Sequence, residues 1–129
     1  MRFLKEYVII AIILIIIILI EIITNRTLNN TIDWMNNKIT SIENKIKENR
    51  EQQAKNEFDN LKNEWKEKDD KLSIFIEHNE LEKISKNIIV IESNLKNDDK
   101  EKCLENIAEL KFILEHIREK NQMKLKNLF

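Results

Sequence analysis

From Val8 to Ile20 the chain reads VIIAIILIIIILI, an unbroken run of 13 apolar side chains between a basic start and a long charged remainder. A stretch this apolar has to leave water, so it constrains everything downstream of it. As a helix the run rises only about 20 Å, short of the roughly 30 Å hydrocarbon core. Extended from Phe3 to Ile23 it offers 21 positions, enough to span a bilayer if Lys5, Glu6 and Glu21 reach to the two interfaces. The same length fits the apolar region of a secretory signal peptide, whose removal would leave a secreted helical protein. The residues that follow, Glu21-Ile22-Ile23-Thr24-Asn25-Arg26, lack the small side chains a signal peptidase needs. An uncleaved signal anchor over residues 1–24 is therefore the expectation, with the bilayer contacted through residues 3–23. Arg2 and Lys5 precede the segment, which places the N-terminus in the cytoplasm and residues from 25 onward outside it in the cell membrane of a single-pass protein. Arg26 on the far side counts against that orientation.

About 105 residues remain, the size of one small domain. The whole chain contains neither glycine nor proline. That removes Gly-rich phosphate loops, glycine helix caps and the favoured hairpin turns, and leaves an almost wholly helical chain as the expected outcome. The richness in Ile, Lys, Asn and Glu also fits an AT-rich gene, but the structural consequence is the same. The net charge is −1 with both signs mixed along the chain, which is a solvated surface and not the basic stripe of a nucleic-acid binder. A single cysteine, Cys103, rules out an internal disulfide.

The remainder carries four helical stripes. The first runs Leu28, Ile32, Met35, Ile39, Ile42, Ile46; the second Ala54, Phe58, Leu61, Trp65, Leu72. The third is Leu81, Ile84, Ile88, Ile91, Leu95, and the fourth Cys103, Ile107, Leu110, Leu114, Ile117. A shift of 49 positions lays the first two on the last two, pairing Ile32 with Leu81, Ile39 with Ile88, Ala54 with Cys103 and Trp65 with Leu114. Register that survives the intervening turn points to two helix–turn–helix units, over about 28–76 and 77–125.

Asn49 with Gln52, Asp98 with Glu101, and Asn79 with Glu82 have the spacing of N-terminal capping boxes. The expected helices are about 3–47, 50–77, 80–96 and 99–120. The fold class is all-α: an N-terminal transmembrane helix, then two helical hairpins forming a small four-helix bundle or a TPR-like stacked pair over residues 25–120, and an amphipathic tail over 121–129.

The Trp65 helix leading into Ser73-Ile74-Phe75-Ile76-Glu77-His78-Asn79-Glu80, the stretch Leu110-Lys111-Phe112-Ile113-Leu114-Glu115-His116-Ile117, and the ending Leu125-Lys126-Asn127-Leu128-Phe129 together have a familiar look. With the short anchor they resemble an uncharacterised family of small proteins from Gram-positive anaerobes, domain of unknown function 4363. Where that family often shows Asp-Trp-Glu-Lys-Ala, this chain has Asn49-Arg50-Glu51-Gln52-Gln53-Ala54, without the tryptophan. The resemblance implies a topology and an extent along the whole chain. It implies no activity.

Few residues invite chemistry. His78 and His116 each follow a glutamate, Glu77 and Glu115. If both fall at one end of the bundle, the two Glu-His pairs are candidate ligands for a divalent metal such as zinc. The simpler reading puts each histidine at a helix C-terminus, bonding last-turn carbonyls, with no metal and no cofactor. Cys103 stands where the first unit has Ala54 and reads as a packed small residue. Trp34, off the stripe, and Leu125, Leu128 and Phe129 in the lysine-alternating tail are candidate contacts for a partner or for headgroups; the tail can equally fray or fold back. No nucleophile–base pair or cofactor motif is evident, so an enzyme is not expected. The expected role is a membrane-anchored extracytoplasmic interaction module for another membrane or envelope protein. The alternative is a structural envelope or division-type protein, pairing Leu28–Ile46 with a second chain, either a different protein or its own copy in a homo-oligomer, as a coiled coil.

Overall fold

A computed structural model describes residues 2–128. Among them there are four helices and no strand: α1 (Arg2–Lys47), α2 (Glu51–Leu72), α3 (His78–Lys96) and α4 (Lys100–Leu128). α1 is 46 residues long, about 70 Å, and passes without a break from the apolar segment into the bundle. The side chains of that segment stand exposed from Phe3 to Ile23, apart from the half-buried Ile18 and Glu21, and α1 is long and apolar enough there to cross a membrane.

From Thr24 onward the same helix becomes a core element. α1 packs on α2 and α4, α3 packs on α4 and more lightly on α2, and the diagonal pairs keep their backbones apart. This is an up-down-up-down bundle. Every residue of the four stripes, from Leu28 through Ile117, is buried in one continuous core. Trp65 satisfies its polar atom inside it, the indole Nε1–H donating to Ser85 Oγ at 3.0 Å and tying α2 to α3. Ion pairs stitch the seams: Lys45 with Glu57, Lys62 with Glu92 (2.5 Å), Lys111 with Glu43 (3.0 Å) and Arg118 with Asp33 (2.6 Å). Ser41 also donates to Glu57 (3.1 Å).

The end of the bundle far from the apolar segment, called distal here, holds two matched turns. Asn49 (φ 62°) and Asp98 (φ 52°) adopt the left-handed conformation that glycine usually fills. In the first turn the Asn49 N–H donates to the Ile46 carbonyl (3.1 Å) and the Arg50 N–H to Lys45 (2.8 Å); in the second, Asp98 donates to Leu95 (3.2 Å) and Asp99 to Asn94 (2.9 Å). These are Schellman caps, 49 residues apart, built without glycine. They correct the expected capping boxes: Asn49 and Asp98 close the preceding helix instead of opening the next. α2 starts after Arg50 with no side-chain cap, whereas Asp99 Oδ1 caps α4 by accepting the Lys102 N–H (3.2 Å). α3 likewise begins at His78 behind Glu77, so Asn79 lies inside the helix.

Two boundaries at the proximal end, nearest the apolar segment, also differ from expectation. α2 stops at Leu72 and not at 77, because Ser73–Glu77 turns the chain back toward α3. α4 continues to Leu128 and does not end at 120, so the described part of the expected tail is helix.

Candidate functional site

The proximal end is where the chain departs from its own repeat. The Ser73 hydroxyl donates to the Asp70 carbonyl (2.7 Å), and the Phe75 and Ile76 amides both donate back to Leu72 (2.9 and 2.8 Å), unwinding α2. Ile76 returns to pack on the core. With Leu81 it occupies the two positions of a hydrophobic staple around the Glu77 cap. Ile74 and Phe75 are left outside, 76% and 42% exposed. They line a cleft of about 220 Å³ together with Ile20 and Glu21 of α1 and Lys120 and Lys124 of α4.

Glu80 lies at the back of this cleft, buried on the first turn of α3. Burial pushes its carboxyl up, but the hydrogen bond from Lys120 (3.0 Å) and the charges of Lys120 and Lys83 outweigh that and hold it below the usual range. Its second oxygen, Oε2, is buried without a partner. Beside it Asn121 Nδ2 donates to Asn25 Oδ1 (3.0 Å), joining α4 to α1.

A second exposed feature lies on the side of the bundle. Val90 of α3 and Phe112 and Ile113 of α4 form an apolar groove edged by Lys83, Lys86 and Glu109. Phe112 is 71% exposed and its ring stacks on His116, with centroids 6.2 Å apart and planes 12° from parallel.

The model of the family described as Domain of unknown function (DUF4363) matches residues 22–128, the whole described bundle. The chain belongs to that family. No curated protein and no solved structure matches it. The match therefore fixes membership and extent and brings no chemistry with it.

Within this DUF4363 chain the four metal candidates are engaged separately. Glu77 faces α4, where Lys120 and Lys124 approach it at 3.9 and 3.6 Å. His78 sits against Glu82 of its own helix (3.7 Å). Glu115 faces α1, accepting from Asn36 (3.4 Å), and also pairs with Arg118 (3.5 Å). His116 is occupied by Phe112. Among the described residues no three His, Cys, Asp or Glu side chains are grouped to hold a metal. The expected C-terminal placement of the histidines is corrected as well. His78 opens α3 and His116 lies inside α4, because α2 ends early and α4 runs on. Neither side chain can then bond the last carbonyls of its helix.

Trp34 is half-buried between α1 and α2, with Lys68 Nζ 4.7 Å above its ring, so one ring face is already covered. Leu125 is half-buried and Leu128 exposed on the last turns of α4, while Phe129 lies outside the described residues. Cys103 is buried, and that burial, with Asp99 nearby, pushes its thiol up to about 11. It behaves as the small packed residue its repeat position implies.

Sequence reasoning missed Ile74, Phe75, Val90 and Phe112. A signal was present: Ile89 and Val90 sit between the stripe positions Ile88 and Ile91, and Phe112 falls between Leu110 and Leu114, so each had to face outward.

Proposed function

We propose that this chain is a membrane-anchored, extracytoplasmic helical module that binds another membrane or envelope protein and acts by binding, not catalysis. The observation that carries the reading is α1, a single helix whose first half is apolar and exposed and whose second half is buried core. With no linker between the halves, a bilayer around the first would hold the bundle at a set height and orientation. Arg2 and Lys5 favour a cytoplasmic N-terminus. The lateral groove at Val90, Phe112 and Ile113 supplies what an interaction module needs, apolar and aromatic surface left over after the core is complete.

The coiled-coil alternative draws less support. Its stripe, Leu28 to Ile46, is at most 3% exposed inside the chain's own bundle. Pairing that stripe with a second chain would require displacing α2 and α4.

A membrane-impermeant maleimide tests the placement. Asn56→Cys, on the exposed face of α2, should label in intact cells, while buried Cys103 gives little background. Labelling only after permeabilisation would reverse the orientation. A photoreactive phenylalanine analogue at position 112 tests the binding. A crosslink to a different envelope protein, weakened by Val90→Ser, supports the module; crosslinks only to the chain itself favour self-association.

A further inference from the structure

The cross-links between α1 and α4 fix how deep the bundle reaches. The two helices run antiparallel, with Lys111 opposite Glu43, Arg118 opposite Asp33 and Asn121 opposite Asn25. From Asn121 α4 continues seven residues to Leu128, about 10 Å further in the direction of the apolar segment. Its last two turns therefore pass the level of Glu21 and reach alongside the stretch Phe3–Ile23. The α2–α3 turn arrives at the same level, since Ile74 and Phe75 line one cleft with Ile20, Glu21 and Lys124.

If Ile20 lies at the edge of a hydrocarbon core, whatever faces Ile20 stands in the headgroup layer. The side chains there suit that layer. Ile74, Phe75, Met123 and Leu128 are exposed apolar groups at 76%, 42%, 65% and 47%. Lys124 and Lys126 lie between the last two and have stems long enough to carry their charge up to the headgroups. In water these apolar groups would be a liability, yet they are concentrated at the one end of the bundle that adjoins the membrane segment.

We propose that the base of the bundle, formed by the Ser73–Glu77 turn and the last two turns of α4, is seated in the interfacial layer of the bilayer that α1 crosses. Ile74, Phe75, Met123 and Leu128 enter the acyl boundary, and Lys124 and Lys126 meet the headgroups. The span and these two feet make three points of contact. The bundle cannot swing about α1, and the lateral groove at Phe112 faces a fixed direction above the membrane. This inference rests on the anchored reading given above.

The test uses the full-length chain carrying Cys103→Ala, the residue of the equivalent repeat position, reconstituted in phosphatidylcholine–phosphatidylglycerol vesicles. Nitroxide labels are placed singly at Ile74→Cys, Leu128→Cys, Ile20→Cys and the distal, exposed Asn97→Cys. Relaxation by oxygen, which partitions into lipid, is compared with relaxation by a water-soluble nickel chelate. The expected result is an oxygen-to-nickel ratio severalfold higher at residues 74 and 128 than at 97, and lower than at 20. A lipid-like ratio at 20 with water-like ratios at 74 and 128 would overturn the seating and leave the anchor standing. A water-like ratio at 20 would overturn both. Labels at 74 and 128 shielded from both reagents would mean that protein, and not lipid, covers the base.

Discussion

At the distal end the two hairpin turns repeat one another hydrogen bond for hydrogen bond, 49 residues apart, while at the proximal end the repeat fails twice. Thr24–Leu28 is continuous helix, but its equivalent, Ser73–Glu77, is a turn. Leu72 is the last residue of α2, but its equivalent, Asn121, is followed by seven more residues of α4. The distal end has one task, to close two helices and reverse the chain, and one backbone solution serves both copies. The proximal end meets the apolar half of α1, and there the two halves differ, one carrying an exposed turn and the other an extended helix.

The sharpest challenge to the repeat is at its centre. Leu61 and Leu110 are equivalent and fully buried. Leu61→Ala and Leu110→Ala should each cost about 2–5 kcal/mol by chemical denaturation of the full chain in detergent. A cost below about 1 kcal/mol at one site alone would break the equivalence.

Next come the distal turns. Asn49→Ala and Asp98→Ala each place a β-carbon with no compensating polar group in the left-handed region, at a cost of about 1–2 kcal/mol. Asn49→Gly and Asp98→Gly should leave stability unchanged or raise it. A loss on substitution by glycine would show that the side chains, not the backbone, hold these turns.

Acidification separates the ends in a different way. The native carboxyls of Glu57, Glu80 and Glu92 sit below their ordinary values. They contribute stability that is fully present above the unfolded-chain value of about 4.3 and lost as pH falls through the lower native values. The melting temperature should therefore fall below about pH 4.5, and Glu80→Gln should make that fall shallower. An unchanged acid limb in Glu80→Gln would mean that the proximal carboxylate plays no part in it.

The smallest effects belong to the exposed proximal groups. Ile74→Ser should change stability by less than about 0.5 kcal/mol in detergent, because little of that side chain is packed. Zinc should leave the melting temperature unmoved in the parent chain and in His78→Ala. A zinc-dependent rise lost in His78→Ala would bring together histidines that the structure places apart.

The core was legible because amphipathic periodicity is a local property. Each stripe residue from Leu28 to Ile117 could be assigned by counting threes and fours, and each is buried. The capping-box spacing of Asn49 with Gln52 and of Asp98 with Glu101 located the distal turns. It misjudged what those residues do, since a capping box and a left-handed cap can share one asparagine or aspartate. The helix limits at Leu72 and Leu128 were not legible. Ile76 continues the α2 stripe, yet it reaches the core by way of a turn, which depends on where α3 must pack. The site suffered most, because the grouping of Ile20, Phe75 and Lys124, and the partners of Glu77 on α4 and of Glu115 on α1, are relations between helices. His78 and His116 meet neighbours four residues away on their own helices, but only once the limits of α2, α3 and α4 are known.

By itself the sequence determined an all-helical chain, a segment long and apolar enough to cross a membrane and a duplicated core pattern, because each follows from side-chain chemistry within a few turns. Only the tertiary structure decided which apolar residues remain outside. That depends on the register of α4 against α1 and on where the α2–α3 turn lands, and register is set by packing across the bundle.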